Sequence, residues 1–162
     1  TPSLEEARRR LLQIGQTRRT YSFPVLLVAY WSVAAFSCLF FGGSPVDGLC
    51  SGFCGLAVGL ALTGMTRLNA NLFFRTMLCA ALTGFLALGM SHLIPGSHSQ
   101  LIIIGGLMAL VPGLSFTNAI RDVMAGDMVA GVTKIADALL TGVSIALGTG
   151  FALALTRLLW GV

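Results

Sequence analysis

Charge is scarce in this sequence. Ten of its 162 residues are Lys or Arg, six are Asp or Glu and two are His, so charged residues make up 10%. An ordinary soluble domain carries about 25%. So few charges cannot cover a water-soluble domain of this length. Catalytic signatures are missing as well. There is no Gly-x-Ser-x-Gly and no His-Glu-x-x-His. Asp127 and Asp137 lack the Tyr-Asp and Gly-x-Gly-Asp contexts of an intramembrane aspartyl protease, whose two carboxylates must also face each other. His92 and His98 fall in one outer loop region, away from the four-apart pair Cys50 and Cys54, so a metal site lacks its remaining ligands. Cys38, Cys50, Cys54 and Cys79 all sit in apolar runs and read as small hydrophobes. The chain reads as neither an enzyme nor a cofactor carrier.

What is present is hydrocarbon. The chain is 56% hydrophobic, with a mean hydropathy of +0.88. The fold class expected is an all-α integral membrane bundle with no soluble domain. The net charge of +4 is gathered at Arg8, Arg9, Arg10, Arg18 and Arg19, beside the first apolar run. It suits an anionic membrane surface rather than nucleic acid. Residues 1–22 read as a basic amphipathic juxtamembrane helix, with Leu4, Ala7, Leu11 and Ile14 on one face. They do not read as a secretory signal peptide.

Residues 23–162 read as a single transmembrane domain of about five spans. A bilayer core about 30 Å thick takes about 20 helical residues. The spans are placed at 24–41, 46–65, 72–94, 100–111 and 128–160. The second is rich in glycine, and Gly48, Gly52, Gly55 and Gly59 offer a face for close helix packing or oligomerisation. Pro112-Gly113 breaks the fourth, which either re-enters or continues as a kinked helix through Val123. The fifth, at 1.5 Å per residue, is about 50 Å long, so it starts outside the hydrocarbon, tilts, or bends near Gly142 or Gly148-Thr149-Gly150. A cytoplasmic N-terminus puts every Lys and Arg except Arg157 on the cytoplasmic side, as the positive-inside rule asks.

Ionisable groups at membrane depth mark a pathway or a binding site by default. Here they follow the Pro-Gly break. Ser115 or Thr117 can cap a short helix, Gly126 suits its end, and Asp127 can cap the next. Asn118 and Asp122 are four apart and share a face, with Arg121 beside them. The amides after Pro112 and Gly113 lack intrahelical acceptors and carry the positive end of a helix dipole. A small carboxylate-bearing solute could sit there, with Arg121 as fixed cation and Asn118 as neutral partner. Further on, Lys134 and Asp137 are three apart, and Thr133 and Thr141 extend the polar stripe. Asp137 is flanked by Ile135, Ala136, Ala138 and Leu139. A buried carboxyl holds its proton more readily, which makes Asp137 the candidate proton carrier. The plainer alternative is that Arg121–Asp122 and Lys134–Asp137 are structural pairs on a cytoplasmic loop.

The stretch from Pro112-Gly113 through Asn118-Ala119-Ile120-Arg121-Asp122, Gly126-Asp127, Gly131, Asp137-Ala138-Leu139-Leu140 and Ile145-Ala146-Leu147-Gly148 resembles the threonine/serine exporter family. Asp137 stands where the resemblance implies a Glu. The resemblance implies proton-driven export of small amino acids or short dicarboxylates across the bacterial inner membrane. It also implies a soluble segment ahead of the membrane part and a pairing of two five-span units, fused or as separate subunits. A homo-oligomer or a second five-span subunit is therefore an expected partner, besides the bilayer. The competing reading is a non-transporting membrane scaffold whose polar segment docks another protein.

Overall fold

The computed structural model describes residues 6, 8, 9, 21–67 and 71–160. Most of the expected amphipathic lead-in over residues 1–22 lies outside the described residues; Glu6, Arg8 and Arg9 are helical and exposed. Six helices follow: α1 (Phe23–Phe40), α2 (Pro45–Arg67), α3 (Leu72–Leu93), α4 (Ser99–Leu107), α5 (Gly113–Met124) and α6 (Met128–Trp160). No strand occurs among the described residues. The protein is an all-α bundle, as its composition predicts.

Four helices, α1, α2, α3 and α6, are long and apolar enough to cross a membrane. The expected fourth span divides into α4 and α5, each too short to cross alone. The nine residues of α4 cover only about 14 Å. The chain does not double back at the break. His98, just before α4, bonds to Asp47 at the start of α2. Leu110 packs lower down, on Val58, Cys79 and Ala80. Val123, near the end of α5, lies against Gly131 in the opening turns of α6. Together α4 and α5 thus run from one end of the bundle to the other, so the continuing path is the one adopted.

Without a hydrophobic force between helices in lipid, small residues let backbones touch and gather dispersion contacts. The α2 glycines do this within the chain. Gly52 lies under the Trp31 ring, Gly55 against the Tyr30 carbonyl and Ala34, and Gly59 against the Tyr30 ring. The glycine face that the sequence offers for close packing or oligomerisation is thus packed against α1. Gly105 and Gly106 seat α4 the same way, against Ala34, Cys38 and Ser51 on one side and Cys54 and Thr83 on the other. Gly84 touches Ala152, and Gly148 touches the Met77 carbonyl, Ala80 and Ala81. The last two contacts set α3 and α6 parallel, and Asp137 and Ser144 fall beside Asn71 and Phe73 at the start of α3. The opening turns of α6 therefore overhang the bundle.

The two ends differ in charge. Arg67 ends α2, Arg75 begins α3, and Arg121 and Lys134 belong to the α5–α6 hairpin at that same end. Of the Lys and Arg in helices α1 to α6, Arg157 is the one at the His98 end.

A side chain at Gly148 would collide with the α3 backbone, whereas nothing lies within 4 Å of a Cβ at Gly150. Gly148→Val is expected to lose about 1–3 kcal/mol to overpacking and Gly150→Val close to none. Unfolding of the purified protein by graded addition of SDS would read the difference.

Candidate functional site

The break is made by residues that cannot continue α4. Pro112 has no N–H and takes the cap position of α5, with no side-chain cap bond. Gly113 already lies inside the helix, so Ser115 and Thr117 are helical residues and neither caps it. The Thr117 hydroxyl donates to the Gly113 carbonyl at 3.0 Å. The Gly113 amide reaches the Val111 carbonyl at 2.9 Å, but the Leu114 and Ser115 amides find no acceptor among the described residues. The dipole end inferred from the sequence is therefore present.

Beyond it, α5 and α6 form a hairpin. Gly126, at φ 92°, takes the left-handed turn that ends α5. The Asp127 carboxylate accepts from the Ala130 amide at 3.2 Å, which is the capping role expected of it. Gly131 brings the helices close by lying against the Ala119 carbonyl and Val123. Across this contact Lys134 donates to Asp122 in a salt bridge. The charged pairs are thus neither Arg121–Asp122 nor Lys134–Asp137. Neighbours on one helix are bypassed because α6 presents Lys134 to α5. Among the described residues Arg121 has no salt bridge or side-chain hydrogen bond, and it stands exposed on the outer flank of α5 with Thr117.

Two small cavities meet at Asp137. One, of about 190 Å³, is lined by Ser115, Asn118, Lys134 and Asp137. The other, of about 140 Å³, runs on past Asn71 and Phe73 to Thr141 and Ser144. Both are smaller than the 300–1,000 Å³ typical of drug-sized ligands. Asp137 is exposed, contrary to the burial its apolar neighbours suggest. The overhang of α6 explains this, because it holds Asp137 level with the start of α3 rather than inside the bundle. The structure therefore brings Ser115, Asn118, Lys134 and Asp137 around one cavity. It leaves Pro112 and Gly113 as the helix start, Asp122 as an anchor behind the site, and Arg121 outside the cavity. In this cavity a cation and an anion lie on one helix face, with a hydroxyl and an amide opposite them on α5.

A second polar cluster went unread in the sequence. Asp47 is fully buried and accepts four hydrogen bonds at the far end of the bundle. Its donors are the Ser44 amide at 3.0 Å and hydroxyl at 2.9 Å, and the His98 amide at 2.8 Å and ring Nδ1 at 3.1 Å. Ser44-x-x-Asp47 has the spacing of a helix-capping pair, which points to half of the cluster. The His98 half depends on the loops meeting. His98 is exposed, as expected of an outer loop residue, but one edge of its ring is engaged.

The family model for threonine/serine exporters (ThrE) matches residues 1–156. No curated protein and no solved structure matches the chain.

Asp122 lies outside the membrane-spanning helices, and its carboxyl is held below the ordinary carboxylate range. The hydrogen bond from Lys134 is the main cause; desolvation opposes it, and the charges of Lys134 and Arg121 add to it. A value depressed on folding means that the tie is complete above about 3.9, the ordinary Asp value. It is lost as pH falls through the lower folded value. Amide hydrogen exchange in α5, corrected for intrinsic rate, is therefore expected to stay flat from about pH 8 to about pH 5 and to rise only in stronger acid. Asp122→Asn is expected to raise it between about pH 8 and about pH 5 and to match wild type in stronger acid.

Proposed function

Because the chain belongs to the threonine/serine exporter family, we propose that it is a secondary-transporter subunit that exports small amino acids. The observation that carries this reading is the placing of Lys134 and Asp137 in one small cavity. An α-amino acid carries a carboxylate and an ammonium on one carbon. Lys134 and the α5 N-terminus around Ser115 take the carboxylate, and Asp137 takes the ammonium. Asn118 and Thr141 are left for a side-chain hydroxyl. A dicarboxylate would put its second charge against Asp137, so threonine and serine fit this site better than succinate.

Asp137 also supplies the coupling. A carboxylate cannot hold an ammonium ion and a proton together, so protonation from the far side displaces the cargo and makes the exchange obligatory. Arg121, on the outer flank of α5 and outside the cavity, does not grip the solute. The basic end of the bundle faces the cytoplasm of a bacterial inner membrane, following the positive-inside rule, with the N-terminus on that side. A second five-span unit, another copy or a paired subunit, closes the exposed flank of the hairpin.

Efflux from cells preloaded with labelled threonine, serine or succinate tests this, with any natural partner subunit co-expressed and membrane abundance matched. Threonine or serine is expected to leave and succinate to stay. Asp137→Asn is expected to slow efflux at least about tenfold, the scale of one charge-assisted contact, and to remove its dependence on the proton gradient. Arg121→Ala is expected to stay within about threefold of wild type. Absence of efflux for all three solutes, or normal proton-driven efflux by Asp137→Asn, would sink the reading.

A further inference from the structure

The α6 polar stripe does not stop at the inner cavities. Along its length it carries Lys134, Asp137, Thr141, Ser144, Thr149, Thr156 and Arg157. Each of the four hydroxyls of Thr141, Ser144, Thr149 and Thr156 donates to the carbonyl four residues back, at 2.7–2.9 Å. Their lone pairs remain free to accept.

At the His98 end, α4 does not pack along α6. A groove of about 710 Å³ separates them, with Gln100, Thr149, Thr156 and Arg157 among its polar lining and Leu88 and Ile103 among its walls. Arg157 has no salt bridge or side-chain hydrogen bond among the described residues. Between this groove and the inner cavities lies an apolar layer. Leu107 and Ile145 each pack against the buried cluster of Val58, Cys79, Ala80 and Leu110. The order along α6 is Ser144 in an inner cavity, Ile145 in the layer and Thr149 in the groove.

The geometry points to this groove as the outward vestibule of the same pathway, a second solute site in which Arg157 holds the carboxylate and the hydroxyls of Thr149 and Thr156 accept from the ammonium. The inference rests on the exporter reading above and extends it. The Leu107–Leu110–Ile145 layer is the seal between the two sites. No acid lines the groove, so an ammonium is held there by neutral acceptors alone and the solute is gripped more weakly than beside Asp137. An exporter's exit needs that asymmetry.

Water in the groove distinguishes a vestibule from a lipid-filled crevice. Cys38, Cys50, Cys54 and Cys79 are all buried and free, so the native chain supplies a quiet background for introduced thiols. In sealed right-side-out vesicles, Thr149→Cys is expected to react with membrane-impermeant methanethiosulfonates, the sulfonate-bearing reagent being favoured over the trimethylammonium one. Adding Arg157→Gln is expected to slow the sulfonate reagent about fivefold or more without slowing the cationic one, in line with loss of a nearby charge. Millimolar threonine outside is expected to slow labelling at Thr149→Cys. Leu147→Cys, on the apolar flank of the same helix, is expected to stay unlabelled.

No reaction at Thr149→Cys, or equal reaction at Leu147→Cys, means that lipid fills the groove and overturns the proposal. Labelling with no charge preference, or with no protection by threonine, overturns the role of Arg157. The readout does not depend on transport. A protein that exports nothing yet shows charge-selective, threonine-protected labelling retains the outer site and loses only the inner-site reading. One that exports but is never labelled loses only the vestibule.

Discussion

Backbone-to-backbone contact at glycine is the constraint on which the remaining geometry depends. In a bilayer, burying apolar side chains gains little, since lipid is as apolar as leucine. Position is then set by where two helices can come closest. For α6 those places are Gly148 on the Met77 carbonyl and Ala152 on Gly84. Once these are in contact, the register of the long helix is fixed along its whole length. Asp137 comes level with the start of α3, Ile145 packs against the Val58–Cys79–Ala80–Leu110 cluster, and Thr149 faces the gap beside α4. A shift of one turn would move each of these by about 5.4 Å. No polar contact along α6 has comparable authority over its position.

The α5 helix obeys a different rule. It packs on α6 and makes no extended contact with any other helix. Ala119 is its one buried residue, and Phe116, Ile120 and Met124 leave an apolar stripe uncovered. The hairpin is held by close packing at Gly131, the capped turn at Asp127 and one partly exposed salt bridge. Elements with few buried contacts open at lower free energy than the core. The hairpin that carries half of the proposed inner site is therefore more loosely anchored than the glycine-packed helices α1 to α3.

What could be read from the sequence was whatever depends on local pattern. Apolar runs marked the long helices, Pro112 marked the break, and Asp127 after Gly126 marked a cap. These signals act over a few residues. What could not be read depends on register between distant segments. Asp137 looked buried because its chain neighbours are apolar, but its depth is decided some ten residues away at Gly148. Lys134 appeared to belong with Asp137, three residues on, yet α5 brings Asp122 across a turn to claim it. Gly48, Gly52, Gly55 and Gly59 promised a close-packing face and formed one; only the partner was hidden, and it proved to be α1 of the same chain. Family membership was legible because its motif is itself local, concentrated between Pro112 and Gly148.

Asp47 has a bearing on the order in which the protein is built. Its carboxylate is wholly enclosed, and two of its four donors come from His98, 51 positions later in the chain. A ribosome delivers α1 and α2 to the membrane well before it delivers His98. During that interval Asp47 has Ser44 alone, and an underpaired carboxylate favours the wet headgroup layer over hydrocarbon. Arrival of the α3–α4 loop then completes the shell and seals the acid away. The cluster thus ties the α1–α2 turn to the α3–α4 loop, and its shell is complete only when both halves of the bundle are together.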